Sequence, residues 1–196
     1  VPLGLSDPLR CELAGLGEIR HLVAPNALHH LFLDAWLDAY VTDFLSRARG
    51  LGRAVPDRPF EAALNNLSNR VAAYGDFETG GEDLAYALMV LAREGRAAIG
   101  DLRYYADVKA EAFATPLAQA QLGYALALSG DQPRADAMFR LASAGAAAGE
   151  PERLFRADFG SDLRDAAGVL ALGVEARSQA IDAPALEAIV TAPRRR

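Results

Sequence analysis

From Asn26 to Gly50 the apolar positions recur at helical spacing. Leu28, Phe32, Trp36, Tyr40 and Phe44 follow one another every four residues, flanked by Leu31, Ala35, Val41, Leu45 and Ala48. That pattern predicts one long amphipathic helix, with Asn26 as its N-cap after Pro25 and its aromatic stripe turned onto a core. Further helical periods predict helices at about 57–73, 82–94, 100–112, 116–129, 132–147, 160–177 and 183–191, the sixth of these beginning at a Ser161 cap. Their connections are short and glycine-rich, as in "RGLGRAVPDR", "GDFETGG", "GR" and "GDQ". Short links between amphipathic helices hold successive helices antiparallel, so the expected body is a series of helical hairpins.

Residues 1–25 read differently. "SDPLRCELAGLG" has an N-cap, an early proline and a glycine stop, and "IRHLVAP" has the look of a short strand closed by proline. The expected organisation is therefore a helix–strand segment over 1–25 followed by a helical-hairpin domain over 26–196.

Composition narrows the picture without changing it. The hydrophobic fraction is 52%, inflated by alanine, and aromatics make up only 8%. Abundant alanine and leucine with little β-branching favours helix. A formal net charge of −6 gives a nucleic-acid partner no electrostatic footing, the terminal "PRRR" notwithstanding. No apolar run approaches the ~18 residues needed to span a bilayer. The opening "VPLGLSDPLR" has neither the basic start nor the apolar stretch of a signal peptide, and its initial Val suggests a piece of a longer or processed chain. The one cysteine, Cys11, leaves no internal disulfide to form.

Several residues invite a chemical reading. His30, Asp34 and Asp38 stand at i, i+4 and i+8, with His29 adjacent, and helical i, i+4 spacing is one way of presenting two ligands to a divalent ion. The same residues also form the polar edge of an amphipathic helix, and no CxxC or HExxH accompanies them. His29, His30, Asp34 and Asp38 are thus weak metal candidates. Asp76, Glu78, Glu82 and Asp83 form an acidic cluster beside Gly80 and Gly81, without the pattern of an EF-hand loop. Cys11 has Arg10 beside it but no identifiable base, and is expected to be a half-buried helix residue. Tyr104 and Tyr105 are expected to serve packing. No catalytic residue and no cofactor is implied.

Two stretches resemble known families. The blocks "WLDAYVTDFLSRAR", "YGDFETGGEDLAYALMVLAREGRAAIGDLRYYAD", "FATPLAQAQLGYALALSGD" and "FGSDLRDAAGVLAL", within 36–177, resemble the later half of the thioester-containing helical domain of bacterial alpha-2-macroglobulins. That resemblance implies an all-α fold of helical hairpins forming part of an α/α toroid. It also implies a protease trap: a periplasmic endopeptidase inhibitor, not an enzyme, whose partners are proteases and the other domains of its parent protein. The family's covalent capture rests on a Cys-x-Glu-Gln motif. Here Cys11 is followed by Glu12, Leu13 and Ala14, so it is not the thioester cysteine, and the chain alone is expected to be inactive.

Residues 8–35, "PLRCELAGLGEIRHLVAPNALHHLFLDA", are similar instead to part of an uncharacterised metallo-β-lactamase-like family, where His29 and His30 would match motif histidines. A metal-dependent hydrolase remnant is therefore one alternative function. A second comes from "LGYALALSGDQPRADAMFRLA", which places Leu122, Gly123, Gly130, Ala135, Phe139 and Ala142 at the spacing of a helical-repeat binding scaffold. The two resemblances meet between Asp34 and Asp38. Half a toroid leaves helix faces uncovered, so self-association or poor solubility is expected of the isolated chain.

Overall fold

The computed structural model describes residues 35–149, 156, 158 and 160–192. These lie in the second of two units, Asp34–Arg196. The helix and strand expected within 1–25, and the start of the long helix at Asn26, fall outside the described residues.

Among the described residues there are eight α-helices: α1 (Ala35–Gly50), α2 (Asp57–Ala72), α3 (Glu82–Arg93), α4 (Ile99–Val108), α5 (Pro116–Leu128), α6 (Gln132–Ala148), α7 (Asp162–Glu175) and α8 (Ala183–Thr191). Three of these starts are capped by a side chain, Ser161 among them as expected. Thr115 caps α5 by accepting from the Ala118 N–H, with Pro116 next in line. Ser161 caps α7 by accepting from Arg164 N–H, and Asp182 caps α8 by accepting from Ala185 N–H. Each satisfies one of the amide donors that a helix start leaves open.

The single helix expected over 100–112 is divided. α4 stops at Val108, Lys109 leaves helical geometry at φ −122, and a 3-10 turn follows at Ala110–Ala112. The cause lies in the α2–α3 connection. Lys109 Nζ donates to the Phe77 carbonyl at 2.9 Å, pairs with Asp76 at 2.6 Å and sits over the Phe77 ring. Gly80 N–H donates to Ala112 O, and Ala114 N–H donates back to Gly80 O, both at 3.0 Å. This bridge lays the connection against 109–114 and clusters Phe77, Tyr105 and Phe113 with ring centroids 5.4–6.4 Å apart. Tyr105 thus packs as expected, whereas Tyr104 leans edge-on against it and stays half exposed.

The helices form two layers. α1 packs on α3, α3 on α5 and α5 on α7, making one row of alternate helices. α2 lies over α1 and α3, α6 over α5 and α7, and α8 over α7 and α6, with α4 against α5 and α6. A flat row would hold α1 and α7 three helix spacings apart, about 24–30 Å. Arg47 on α1 nevertheless comes within 3.9 Å of Glu175 on α7, so the row curls. Successive hairpins with a curled inner row are the expected partial α/α toroid.

α5 sits at the centre of that row and is buried continuously from Pro116 to Leu126 apart from Leu117. Apolar residues lie on every side of it, as on a helix packed all round, and the buried Gln119 donates to the Ala110 and Phe113 carbonyls. Gly123 lets α6 approach: a Cβ there would lie 3.2 Å from Met138 Cβ and 3.3 Å from the Ala135 carbonyl. Leu122, Ala135, Phe139 and Ala142 are fully buried around it. The spacing that resembled a helical repeat is therefore the packing of one hairpin, α5–α6.

One expectation is reversed. The aromatic stripe of α1 was expected to face the core, yet Tyr40 and Phe44 are 51% and 62% exposed. The side of α1 that is buried carries Ala39, Thr42, Asp43 and Ser46. Small and polar residues, with Leu45 packed beside them on the core, dock this helix, because what they meet on α3 is itself polar.

Candidate functional site

The polar residues of α1 open a network that runs through the inner row. Asp43, almost fully buried, accepts from Arg47 Nε at 3.0 and 3.2 Å, from Tyr86 Oη at 3.1 Å, and from Arg93 Nη1 in an ion pair. Arg93 comes from the last turn of α3, where a cation complements the carbonyl end of the helix. Its guanidinium lies 5.7 Å from the centroid of Tyr124 on α5. Arg47 reaches Glu175 on α7, and Ser46 Oγ donates to Glu94 at 2.5 Å. All four inner helices thus supply a member.

The electrostatics follow from burial. Tyr86 is pushed well above the usual phenol range by burial and by the neighbouring Asp43 carboxylate, so it stays a donor. Burial works against the charge on Arg47, and Asp43 with Glu175 more than reverses it, leaving the guanidinium above its ordinary value. Arg93 Nη2 is buried without a hydrogen-bond partner among the described residues. A tyrosine held protonated and a carboxylate gripped by two arginines make a cross-link between helices. The arrangement holds no nucleophile beside a free base.

A second cluster closes the opposite end of α7. Asp158 and Asp165 are 1% and 2% exposed. Arg156 bridges them, donating to Asp158 at 2.9 and 3.0 Å and to Asp165 at 2.9 and 3.0 Å. Arg164 donates to the Asp158 carbonyl at 2.7 Å and pairs with its carboxylate. Burial alone would raise Asp158, but the two guanidiniums and the Gly160 N–H hold it below the usual carboxylate range. Asp165 is pushed up to about 6 by burial, despite Arg156. Glu82, at the start of α3, is also raised by burial and by the nearby Asp158.

Of the metal candidates, His29, His30 and Asp34 lie outside the described residues, as does Cys11. Asp38 is held by Arg70 Nη2 at 2.6 Å and by Asn66 Nδ2 at 3.2 Å, a cationic neighbourhood that competes with a metal. Among the described residues no three His, Cys, Asp or Glu side chains converge in a ligand set. The acidic residues take separate partners: Asp76 pairs with Lys109, and Asp83 accepts from Tyr74 Oη at 2.7 Å. Sequence reasoning missed both ionic clusters. Asp43, Tyr86, Arg93, Tyr124 and Glu175 have no local spacing to give them away, since each sits on a different turn or a different helix.

Fold and clusters together define a class: a partial α/α toroid whose inner helices are cross-linked by buried ion pairs. Comparison with known proteins places it further. Alpha-2-macroglobulin of Xylella fastidiosa strain Temecula1 is 36% identical over 165 residues, 80% of this chain and 10% of that protein. The Escherichia coli K12 alpha-2-macroglobulin is 37% identical over 146 residues, 70% of this chain and 9% of that protein. The native conformation of E. coli alpha-2-macroglobulin superposes with a TM-score of 0.69 at 30% identity, covering 81% of this chain and 10% of that one. The chain is homologous to one segment of the bacterial alpha-2-macroglobulins and belongs with that family over this region. It spans about a tenth of the length of the curated relatives it matches. No model of a known protein family matches the chain. The similarity of 8–35 to a metallo-β-lactamase-like family finds no support in these comparisons.

Proposed function

We propose that the chain furnishes a toroid segment of an alpha-2-macroglobulin-type protease trap, acting in the bacterial periplasm as part of an endopeptidase inhibitor and not as an enzyme. The observation that carries this reading is the match of the hairpin region, in sequence and in three dimensions, to one segment of such proteins. Solved E. coli relatives include one activated by trypsin and one activated by porcine elastase, so proteases of that kind are the partners to test. No helix among the described residues is long and apolar enough to cross a membrane.

These 196 residues contain no Cys-x-Glu-Gln sequence, so they offer no thioester for covalent capture. Enclosing a protease takes far more wall than one helical unit, so the chain serves the trap only together with other domains. Residues 1–25 form, in this reading, a segment of different origin joined to the helical-hairpin domain of 26–196.

The test has two parts. Added alone to trypsin or elastase, the purified chain should leave hydrolysis of a large protein and of a small peptide unchanged. Exchanged for the homologous segment of the E. coli protein, it should give a hybrid that shields trypsin from the large substrate and spares the small one. A folded hybrid without shielding overturns the proposal. Zinc-dependent hydrolysis by the chain alone would instead favour the hydrolase alternative.

A further inference from the structure

The connection between α1 and α2 is open to solvent. Leu51 is 79% exposed, and Gly52, Arg53, Ala54 and Pro56 are exposed as well, while Val55 rests half-buried on the core. Residues 53–56 belong to neither helix, and Pro56 is extended at φ −62 and ψ 128. Nothing lies within 4 Å of a Cβ placed on Gly50 or Gly52, so a large body has room to approach. Arg53 N–H closes the end of α1 by donating to Ala48 O at 2.9 Å, and among the described residues no backbone bond holds Ala54 or Val55. The Arg53 guanidinium has no ion-pair or hydrogen-bond partner among the described residues. Its neighbour Arg49, by contrast, is taken by Asp57 at 2.9 Å and lies over the Phe60 ring.

An endopeptidase takes its substrate as an exposed, extended segment, so a helix must open before it is cut, whereas an exposed connection is already close to that form. Arginine specificity adds an acidic pocket that receives one free guanidinium. Arg53 meets both requirements, and each of the other described cations fails one of them. Most lie within helices, and Arg58, in the first turn of α2, is followed by Pro59, whose nitrogen carries no hydrogen. Arg96, past the end of α3, is the nearest rival. Its guanidinium donates to Glu61 at 3.0 Å and to Asn65 at 2.5 Å, and Ala97 after it packs on the core. Arg177 is followed by Ser178, which is buried and donates to Asp136 at 2.6 Å. Lys109 is held by Asp76, and Arg156 by Asp158 and Asp165.

We propose that the Arg53–Ala54 bond is a cleavage site for arginine-specific serine proteases, and that the cut leaves α1 seated on the body. The C–N bond breaks and one water is consumed: its hydroxyl goes to the Arg53 carbonyl carbon and its hydrogen to the Ala54 nitrogen. At neutral pH the new acid passes its proton to the new amine. α1 stays because its attachments lie outside the severed segment. Asp38 pairs with Arg70 at 2.6 Å, Arg49 with Asp57 across the cut, and Asp43 is held by Arg93 and Tyr86 on α3. The inference is independent of the protease-trap reading, since it concerns one bond of this chain and not the shielding of a second substrate.

Brief digestion of the folded full chain with a trace of trypsin, read by N-terminal sequencing and intact mass, tests it. Within residues 35–149 and 160–192, a new N terminus at Ala54 should appear first, with a matching fragment that ends at Arg53. Arg53→Gln and Ala54→Pro should each abolish that product, the second with the guanidinium still in place. Arg58→Gln should be cut like the parent, which shows that loss of a nearby charge is not the cause. The nicked protein should elute from size exclusion as one species and separate into two fragments only in denaturant. Absence of the Ala54 terminus overturns the proposal, as does earlier cutting at another bond within those residues. Cleavage after position 53 that persists in Arg53→Gln or Ala54→Pro overturns it too. Fragments that part without denaturant overturn the retention of α1. Far-ultraviolet circular dichroism before digestion confirms that each variant keeps its helices.

Discussion

Asp43 on α1 and Arg93 on α3 form an ion pair across 50 residues of sequence, and that pair joins the first inner helix to the second. Both side chains are mostly withdrawn from solvent, at 10% and 18% exposure. Removing one partner leaves the other desolvated, which is the costly half of breaking a buried pair. Asp43→Ala should therefore destabilise the fold by about 2–4 kcal/mol, below the fully buried figure in proportion to the residual exposure. Tyr86→Phe, which removes one donor to the same carboxylate, should cost about 1 kcal/mol. Urea unfolding followed by circular dichroism reads both, and equal losses in the two variants would contradict an ionic centre at Asp43.

Gly81 begins α3 at φ +73, and a Cβ there would stand 2.8 Å from the Phe77 ring and 3.0 Å from Phe113. Gly81→Ala therefore meets both a left-handed backbone and an occupied space. A loss of about 2–3 kcal/mol is expected, larger than the backbone strain of a non-glycine residue alone. Gly52 also has positive φ but nothing within 4 Å, so Gly52→Ala isolates the strain without the clash. Thermal melts of the two variants should differ, with Gly81→Ala the lower.

The helices were legible in sequence because each is an apolar period, and several begin at a capping side chain or stop near a glycine, signals that lie close together along the chain. The expected 183–191 helix is α8 to the residue, and Ser161 caps α7 as read. The break at Lys109 was not legible, because its cause is Asp76 and Phe77, more than thirty residues earlier in the chain. The face of α1 was misread for a related reason. Periodicity shows that a helix has two faces, but which face is buried depends on its neighbour. Here Tyr86 and Arg93 on α3 call for Asp43, and Glu94 for Ser46, so the polar side went in. The ionic clusters could not be read at all, since their members come together only once the row of inner helices has curled.

That reversal makes a prediction of its own. Ala39 is fully buried, so Ala39→Leu must force added volume between α1 and α3, at a cost of about 1–3 kcal/mol. Phe44→Ala, at low protein concentration, removes a side chain that is mostly in water and should change stability by no more than about 0.5 kcal/mol. A sequence-only reading would expect the opposite ranking. Chemical unfolding of both variants at the same dilute concentration decides between the two orientations of α1.

The Arg156 cluster sets a pH dependence whose sign can be worked out. Asp165 titrates at about 6 in the folded protein, raised by burial from an ordinary value of 3.8. Between those values the folded state holds a proton that the unfolded chain has released. The stabilisation from that proton is complete below about 4 and is lost as pH rises through about 6. Asp158 runs the other way: its carboxyl is held low by Arg156 and Arg164, so its contribution is present above about 4 and lost as pH falls further. Asp165→Asn removes only the first effect and resembles the protonated carboxyl in shape. The difference in melting temperature between Asp165→Asn and the parent should therefore shift in favour of the variant from pH 4.5 to pH 7.5, with other titrating groups cancelling in the difference. A difference that moves in favour of the parent over that range would mean that Arg156 holds Asp165 ionised throughout, and that its ion pair outweighs the burial of its charge.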